Sequence, residues 1–204
     1  MNFEKDASGL PIKLNARKLR KLLDSCLNNA EQLLDSAEII VKNKLYSISV
    51  VLSVLAIEEL GKRRIISRYV WTEEKGEDRK KIWRSFRNHK DKIYWAFTPF
   101  LLRGDKNDYI SLWSTRNGQI ELDAKVIDQI KQLSFYTNVV DGEIISPSKF
   151  ATRKSALNMI VIAKQLFEYQ NDVESTDRII QVYKDCRHNR RKGELLDFVD
   201  WDIT

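Results

Sequence analysis

The sequence predicts an all-α fold, an up-and-down bundle of long helices. The chain of 204 residues has only 7 glycines and 3 prolines, and so few helix breakers favour long helices over many short strands. Apolar residues recur every three or four positions along most of the chain, which is the period of a helix with one buried face. Apolar residues make up 43% of the sequence and charged residues 31%, a balance typical of a folded globular protein. We therefore expect a single domain spanning residues 1–204.

The first half of the chain contains three predicted helices. Residues 13–42 carry an apolar stripe at helical spacing, which indicates an amphipathic first helix. Residues 46–71 form a second helix whose first half is apolar nearly all round, so we place it at the centre of the bundle. A third helix is predicted at 78–102, where Pro99 bends or ends it.

The second half of the chain is expected to begin with a small lobe inserted into the bundle around residues 104–147. Within it, Asp141 and Gly142 indicate a turn between residues of β-rich or irregular structure. The helices predicted in this half are 108–115, 123–136, 148–171 and 175–192. Ser148 is placed to cap the helix that it begins.

The net charge, the cysteines and the apolar segments indicate the partners and the compartment of the protein. The formal net charge is +6, and a basic balance favours anionic partners such as nucleic acid. Cys26 and Cys186 lack the spacing of metal ligands and cannot form a disulfide framework, so we expect two small buried residues. The start of the chain has no apolar core typical of a secretory signal, and the apolar stretch at 45–57 is too short to span a bilayer. These features predict a cytoplasmic protein without a membrane partner.

Catalytic options are restricted because the chain has only two histidines, His89 and His188. The sequence has no glycine-rich phosphate loop, no nucleophile elbow and no His/Cys/Asp set with metal-ligand spacing. These absences argue against a metalloenzyme and against a P-loop protein, so no metal or cofactor is expected.

The strongest catalytic candidates lie in the basic segment at 80–90. Arg84 and His89 are five residues apart, which on a helix is about 140° of rotation and ~7.5 Å of rise. They do not share a face, but a long arginine can reach a phosphate that the histidine also touches. RNA cleavage by the neighbouring 2′-hydroxyl needs a base with a pKa near 7 and positive charge on the phosphoryl oxygens. An imidazole and a guanidinium supply these, and a two-fold dimer would add a second His89 as the acid.

A purely structural interpretation of this segment stays open. Ile82, Phe86, His89 and Ile93 fall on one helical stripe, and a lone histidine on an apolar stripe is usually a core or interface residue. The nearby lysines and arginines can equally be a solvated helix face. The same holds for the basic cluster around His188, for which we favour the solvated face.

Two adjacent carboxylates, Glu58 and Glu59, end the apolar part of the second helix and need partners. Lys62 and Arg63 can provide these partners locally. The alternative is an arginine of the third helix, which the carboxylates would then orient.

Two motifs, read in order, resemble the AbiV family of abortive-infection proteins. Residues 58–62 (EELGK) resemble the E-E-x-G-K signature that ends the family's second helix. Residues 86–92 (FRNHKDK) resemble its third-helix signature F-R-x-H-x-x-K. The segment at 135–142 is similar to the family's aromatic-rich stretch that ends in Asp. AbiV proteins are grouped with HEPN domains, so the resemblance implies a HEPN-like helical bundle that is usually dimeric.

The resemblance also implies a function and a set of site residues. Many HEPN proteins are metal-independent ribonucleases with an R-x4-6-H motif at the dimer cleft, while others bind nucleotides or partners without activity. The residues expected at the site are Arg84 and His89 as catalytic groups, Arg87, Asn88, Lys90 and Lys92 as RNA or phosphate ligands, and Glu58 and Glu59 as orienting carboxylates.

The expected function is that of a latent endoribonuclease in phage defence, which arrests translation when infection triggers it. Expected partners are a second copy of the chain, RNA and a phage-encoded activator protein. The alternative is a non-catalytic binding protein that blocks translation or phage maturation. A third interpretation is a regulatory, antitoxin-like partner.

Overall fold

A computed structural model describes residues 15–72, 76–102 and 117–191. The helices of these residues are α1 (Ala16–Lys42), α2 (Tyr46–Thr72), α3 (Gly76–Arg87), α4 (His89–Leu102), α5 (Asn117–Phe135), α6 (Pro147–Phe150), α7 (Arg153–Asp172) and α8 (Thr176–Arg191). The two short strands are β1 (Asn138–Val140) and β2 (Glu143–Ile145), which pair antiparallel. The all-α class predicted from the sequence is confirmed. None of the helices in the described ranges is long and apolar enough to cross a membrane.

The hairpin of α1 and α2 forms the centre of the bundle. Asn15 caps α1, because its side-chain oxygen accepts a hydrogen bond from the backbone N–H of Lys18. At the other end, Lys44 has a left-handed φ of 62° and turns the chain into α2. Helix α2 packs against α1, α4, α5 and α7, which explains why its first half is so apolar.

The third predicted helix is divided in two by Asn88. Helix α3 ends at Arg87 and α4 begins at His89. The side-chain oxygen of Asn88 accepts the backbone N–H of Asp91 at 3.3 Å, and its carbonyl accepts that of Lys92 at 3.1 Å. Asparagine competes with the helical backbone for such bonds, so it ends one helix and caps the next.

The segment predicted as an inserted lobe, 104–147, is largely helical where the structure describes it. Helix α5 starts at residue 117 and packs on α2 and α4, so it belongs to the bundle. The turn predicted at Asp141 and Gly142 is confirmed, with φ angles of 52° and 83° between the two strands. The short helix predicted at 108–115 lies outside the described residues.

Helix α7 starts later than predicted because Thr152, and not Ser148, caps it. The Thr152 hydroxyl accepts the backbone N–H of Ser155 at 3.1 Å, and the Ser155 hydroxyl accepts that of Thr152 at 2.9 Å. This reciprocal pair is a capping box. Ser148 lies instead within the short helix α6.

Two large apolar clusters, and a small third one around Val50, fill the described part of the bundle. The larger one lies between α1, α2, α4, α5 and α7. The smaller one joins α1, α2, α3, α4 and α8, and it includes Trp83 and Tyr183. Cys26 lies in the smaller cluster, where burial above all raises the pKa of its thiol to about 12. Cys26 is therefore a buried neutral thiol, as predicted, while the side chain of Cys186 lies outside the described part of the chain.

Candidate active site

The candidate site forms where α2 crosses α4 at Gly61. A Cβ atom placed on Gly61 would lie 1.7 Å from the backbone oxygen of Lys92 and 2.5 Å from its carbonyl carbon. Because the obstacle is backbone, no side-chain rotation relieves it, and only glycine allows the two helices to come this close. The close approach places Glu58, nearly one turn before Gly61, beside the first turn of α4.

Glu58 is only 2% exposed, yet three donors from two other helices surround its carboxylate. Lys131 Nζ on α5 lies 2.6 Å from Oε1. Lys92 Nζ and His89 Nδ1, both on α4, lie 2.7 Å and 2.8 Å from Oε2. Burial alone would raise the pKa of Glu58, but the hydrogen bonds from Lys131, Lys92 and His89 outweigh burial and lower it. The carboxylate is therefore ionised at neutral pH.

The buried charges around Glu58 balance one another. Lys131 also pairs with Asp128 Oδ1 at 2.9 Å. Burial would lower the pKa of Lys131, but its bonds to Glu58 and Asp128 outweigh burial and raise it. With Lys92, the cluster holds two ammonium groups and two carboxylates, which sum to zero before His89 is counted. A cluster without net charge, whose ammonium groups both lie against carboxylates, offsets much of the desolvation cost of burial.

His89 is the first residue of α4, and its side chain is 56% exposed. Its Nδ1 atom lies 2.8 Å from Glu58 Oε2 and 3.4 Å from Lys92 Nζ. Lys92 can only donate and Glu58 can only accept, so the shorter contact identifies Nδ1–H as a donor to Glu58. In the neutral ring Nε2 then carries the lone pair, and it has no hydrogen-bond partner among the described residues. The Glu58 carboxylate thus orients a largely exposed imidazole.

Exposed cations lie on both sides of His89. Arg84 and Arg87, in the last turn of α3, are exposed, and neither guanidinium forms an ion pair with any side chain that the structure describes. Lys90 is exposed on α4, next to His89. Asn88 is also exposed, although its side-chain oxygen is engaged in capping α4. Because the chain breaks at Asn88, Arg84 and His89 lie on different helices and their relative position does not follow single-helix geometry.

Two residues expected at the site have other surroundings than predicted. Lys92, predicted as a phosphate ligand, is 5% exposed and its ammonium group is bound to Glu58, so it does not face solvent. Glu59, predicted to orient the site, pairs with Lys62 on its own helix. The local alternative therefore describes Glu59. Glu58 has partners on other helices, but these are two lysines and a histidine and not the arginine considered from the sequence.

Lys131 and Asp128, which α5 brings to the cluster, were not among the residues predicted from the sequence. Lys131 is 73 positions from Glu58 in the chain. A weak signal was present, because Ala124, Ile127 and Lys131 share the buried face of α5 at helical spacing. A lysine on such a face needs a buried anion as partner, but the spacing does not tell which one.

The arrangement suits acid–base chemistry on an anionic molecule. It combines a free imidazole nitrogen, a carboxylate that fixes the ring, and guanidinium and ammonium groups at the surface. No group of three or more His, Cys, Asp or Glu side chains that could hold a metal ion occurs among the residues described. The side chain of His188 lies outside those residues.

A family model described as AbiV, of the HEPN group, matches residues 18–168. This range runs from the start of α1 into α7 and includes Glu58, Gly61, His89 and Lys131. No curated protein and no solved structure matches the chain significantly.

Proposed function

Because the chain belongs to the AbiV family of HEPN proteins, a family of abortive infection and phage defence, we propose that it is a latent endoribonuclease. Infection switches it on, and it arrests translation by cutting RNA. The observation that supports this function best is the exposed imidazole of His89, whose Nδ1 proton is held by the buried, ionised Glu58. The proposed location is the bacterial cytoplasm.

In the proposed reaction, Nε2 of His89 removes the proton from the 2′-hydroxyl of RNA. The 2′-oxygen then attacks the adjacent phosphorus and the 5′-oxygen leaves, which yields a 2′,3′-cyclic phosphate. Glu58 stabilises the imidazolium that forms, since it already accepts a hydrogen bond from Nδ1–H.

The exposed cations have a separate role in this reaction. Arg84, Arg87 and Lys90 bind the phosphate and offset its growing negative charge. Asn88 contributes its NH2 group to RNA binding, because its side-chain oxygen caps α4. Lys92 acts only through Glu58, since its ammonium group is buried.

A homodimer completes the chemistry. The leaving oxygen needs a proton, and the sequence offers few histidines to supply it. We propose that a two-fold related copy contributes its own His89, protonated, to the same cleft. The exposure of His89 keeps it accessible to a second copy. A phage-encoded protein is the proposed activator of the resting dimer.

Replacing His89 with alanine tests the proposal. We expect loss of phage protection and a fall in RNA cleavage of about 10²- to 10⁴-fold, the usual contribution of a general base. The fold and the dimer should persist because the side chain is largely exposed. RNA integrity profiles of infected cells, circular dichroism and light scattering after size-exclusion chromatography measure these outcomes. His188→Ala, at the only other histidine of the sequence, is the matched control and should protect like the wild type.

The same experiment decides between the enzyme and its alternative. If cells with the His89 variant are still protected, the proposed enzyme is wrong. Intact RNA in arrested wild-type cells would also contradict it. Either result would favour the non-catalytic protein, which uses the exposed cations to bind RNA or a protein and so blocks translation or phage maturation.

A further inference from the structure

The buried charge cluster extends beyond the residues that touch the proposed reaction. Lys131 donates to the Glu58 oxygen that His89 does not use, and Asp128 lies 2.9 Å from the same ammonium group. Lys131 is 6% exposed, so it cannot bind RNA directly. Its role has to be exerted through the Glu58 carboxylate.

We propose that Lys131 and Asp128 of α5 are positioning residues that fix the Glu58 carboxylate and set its charge environment, so that the neutral His89 ring keeps its Nε2 atom free. The inference deepens the proposed function and rests on it for its catalytic consequence. It makes α5 a third component of the site, besides α2 and α4.

The two carboxylate oxygens of Glu58 have different partners. Oε1 of Glu58 bonds to Lys131 at 2.6 Å, while Oε2 bonds to Lys92 and His89. Bonds on both oxygens fix the rotation of the carboxylate plane. Without Lys131, Oε1 would be a buried acceptor without a partner, and the group would turn to share its remaining donors. The direction of the hydrogen bond to His89 would then no longer be set.

Charge balance supports a second effect. Glu58, Asp128, Lys92 and Lys131 sum to zero, so the neutral His89 ring faces a cluster without net charge. Removing Lys131 leaves a net charge of −1, which favours the protonated ring. Removing the charge of Asp128 leaves +1, which favours the neutral ring. The exposed Arg84, Arg87 and Lys90 and the partly exposed Asp91 are present in every variant and do not alter the comparison.

Nitrogen-15 NMR of the histidine rings tests this without reference to RNA. In a His188→Ala background only the His89 ring is observed, and its protonation midpoint and tautomer are read directly. We expect Lys131→Met to raise the midpoint and Asp128→Asn to lower it. The shift should be about 0.5 to 1 pH unit, because solvent weakens the charge interactions of an exposed ring. The double variant restores zero charge and should return close to the wild-type midpoint.

Each outcome is decisive. Equal midpoints in all four proteins, or shifts of the same sign in both single variants, would overturn the proposal. If Lys131→Met does not fold, Asp128→Asn must still lower the midpoint, and the double variant must return it close to the wild-type value. If the midpoints move as expected but the wild type does not cut RNA, the positioning role stands and the proposed ribonuclease fails.

Discussion

Neighbouring lysines on α4 show how burial separates the roles of similar residues. Lys90 and Lys92 both belong to the segment that resembles the family signature. They are about 200° apart around the helix, so they point in nearly opposite directions. Lys90 is exposed, whereas Lys92 is 5% exposed and bonded to Glu58. One is therefore accessible from solvent, and the other holds the carboxylate.

Substitution of the two lysines should separate stability from RNA binding. We expect Lys92→Met to lower the free energy of unfolding by about 3 kcal/mol, the low end for a broken buried ion pair, because Lys131 and His89 still bond to Glu58. Lys90→Met, the matched control, should keep its stability within about 0.5 kcal/mol. It should instead weaken the salt dependence of RNA binding. The slope of the logarithm of the association constant for single-stranded RNA against the logarithm of the salt concentration should fall in magnitude by about 0.7. Urea unfolding measures the stability, and binding titrations at several salt concentrations measure the salt dependence. A stable Lys92→Met together with a destabilised Lys90→Met would contradict these roles of the two lysines.

Helix crossings determine which of these residues can meet. Glu58 reaches His89 and Lys92 because Gly61 lets α2 lie against the backbone of α4. The same feature explains the glycine in the EELGK segment in physical terms, without reference to a family. A helix interior ordinarily favours alanine over glycine by about 1 kcal/mol, so a glycine here indicates a steric requirement.

Gly61→Ala should therefore destabilise the protein although alanine is the better helix former. We expect a net loss of about 1–3 kcal/mol in the free energy of unfolding, because the added methyl group meets backbone. The proposed ribonuclease activity should fall with it, since α4 must move away from Glu58. Chemical denaturation and the NMR signal of the His89 ring measure the two effects.

Gly142→Ala is the matched control for this prediction. Gly142 has a φ of 83° and nothing within 4 Å of its added Cβ, so its cost is local strain of about 1–2 kcal/mol. That variant should leave the signal of His89 unchanged. If Gly61→Ala were as stable as the wild type, α2 and α4 could not approach each other this closely.

For the molecule as a whole, the buried charges determine how stability depends on pH. The pKa of Glu58 is lowered in the fold, so its contribution is present above its ordinary value of 4.5 and is lost as the pH falls through the lower folded value. The pKa of Lys131 is raised, so its contribution is present below 10.5 and is lost as the pH rises through the folded value. The thiol of Cys26 adds a loss between pH 9.0 and about 12.

We expect the free energy of unfolding to be highest between about pH 5 and 9 and to fall on both sides. Urea unfolding at a series of pH values measures the curve. Glu58→Gln removes the titrating carboxyl, so its stability should depend less on pH below 4.5 than that of the wild type. If the free energy of unfolding fell equally steeply below pH 4.5 in the wild type and in Glu58→Gln, the role of Glu58 would be contradicted.

How much of the molecule was predictable depends on the range of the interactions. The helical class and the turn at Asp141 and Gly142 follow from local periodicity and turn chemistry, and the structure agrees with both. The break at Asn88 was missed because the apolar stripe continues across it, while the asparagine competes locally for the same backbone groups. The FRNHKDK segment was chosen from the sequence as part of the candidate site, but its division into surface and interior residues was not predicted.

The sequence alone determined the bundle of helices, the resemblance to the AbiV family, and the choice of Glu58 and His89 as candidates, because each depends on residues close together in the chain. Only the tertiary structure decided that Lys92 is buried against Glu58 and that α5 supplies Lys131 to the cluster. The physical reason is that a buried charge takes its partner from whichever helix lies across from it. That helix is selected by packing and by the close approach at Gly61, which no spacing along the chain encodes.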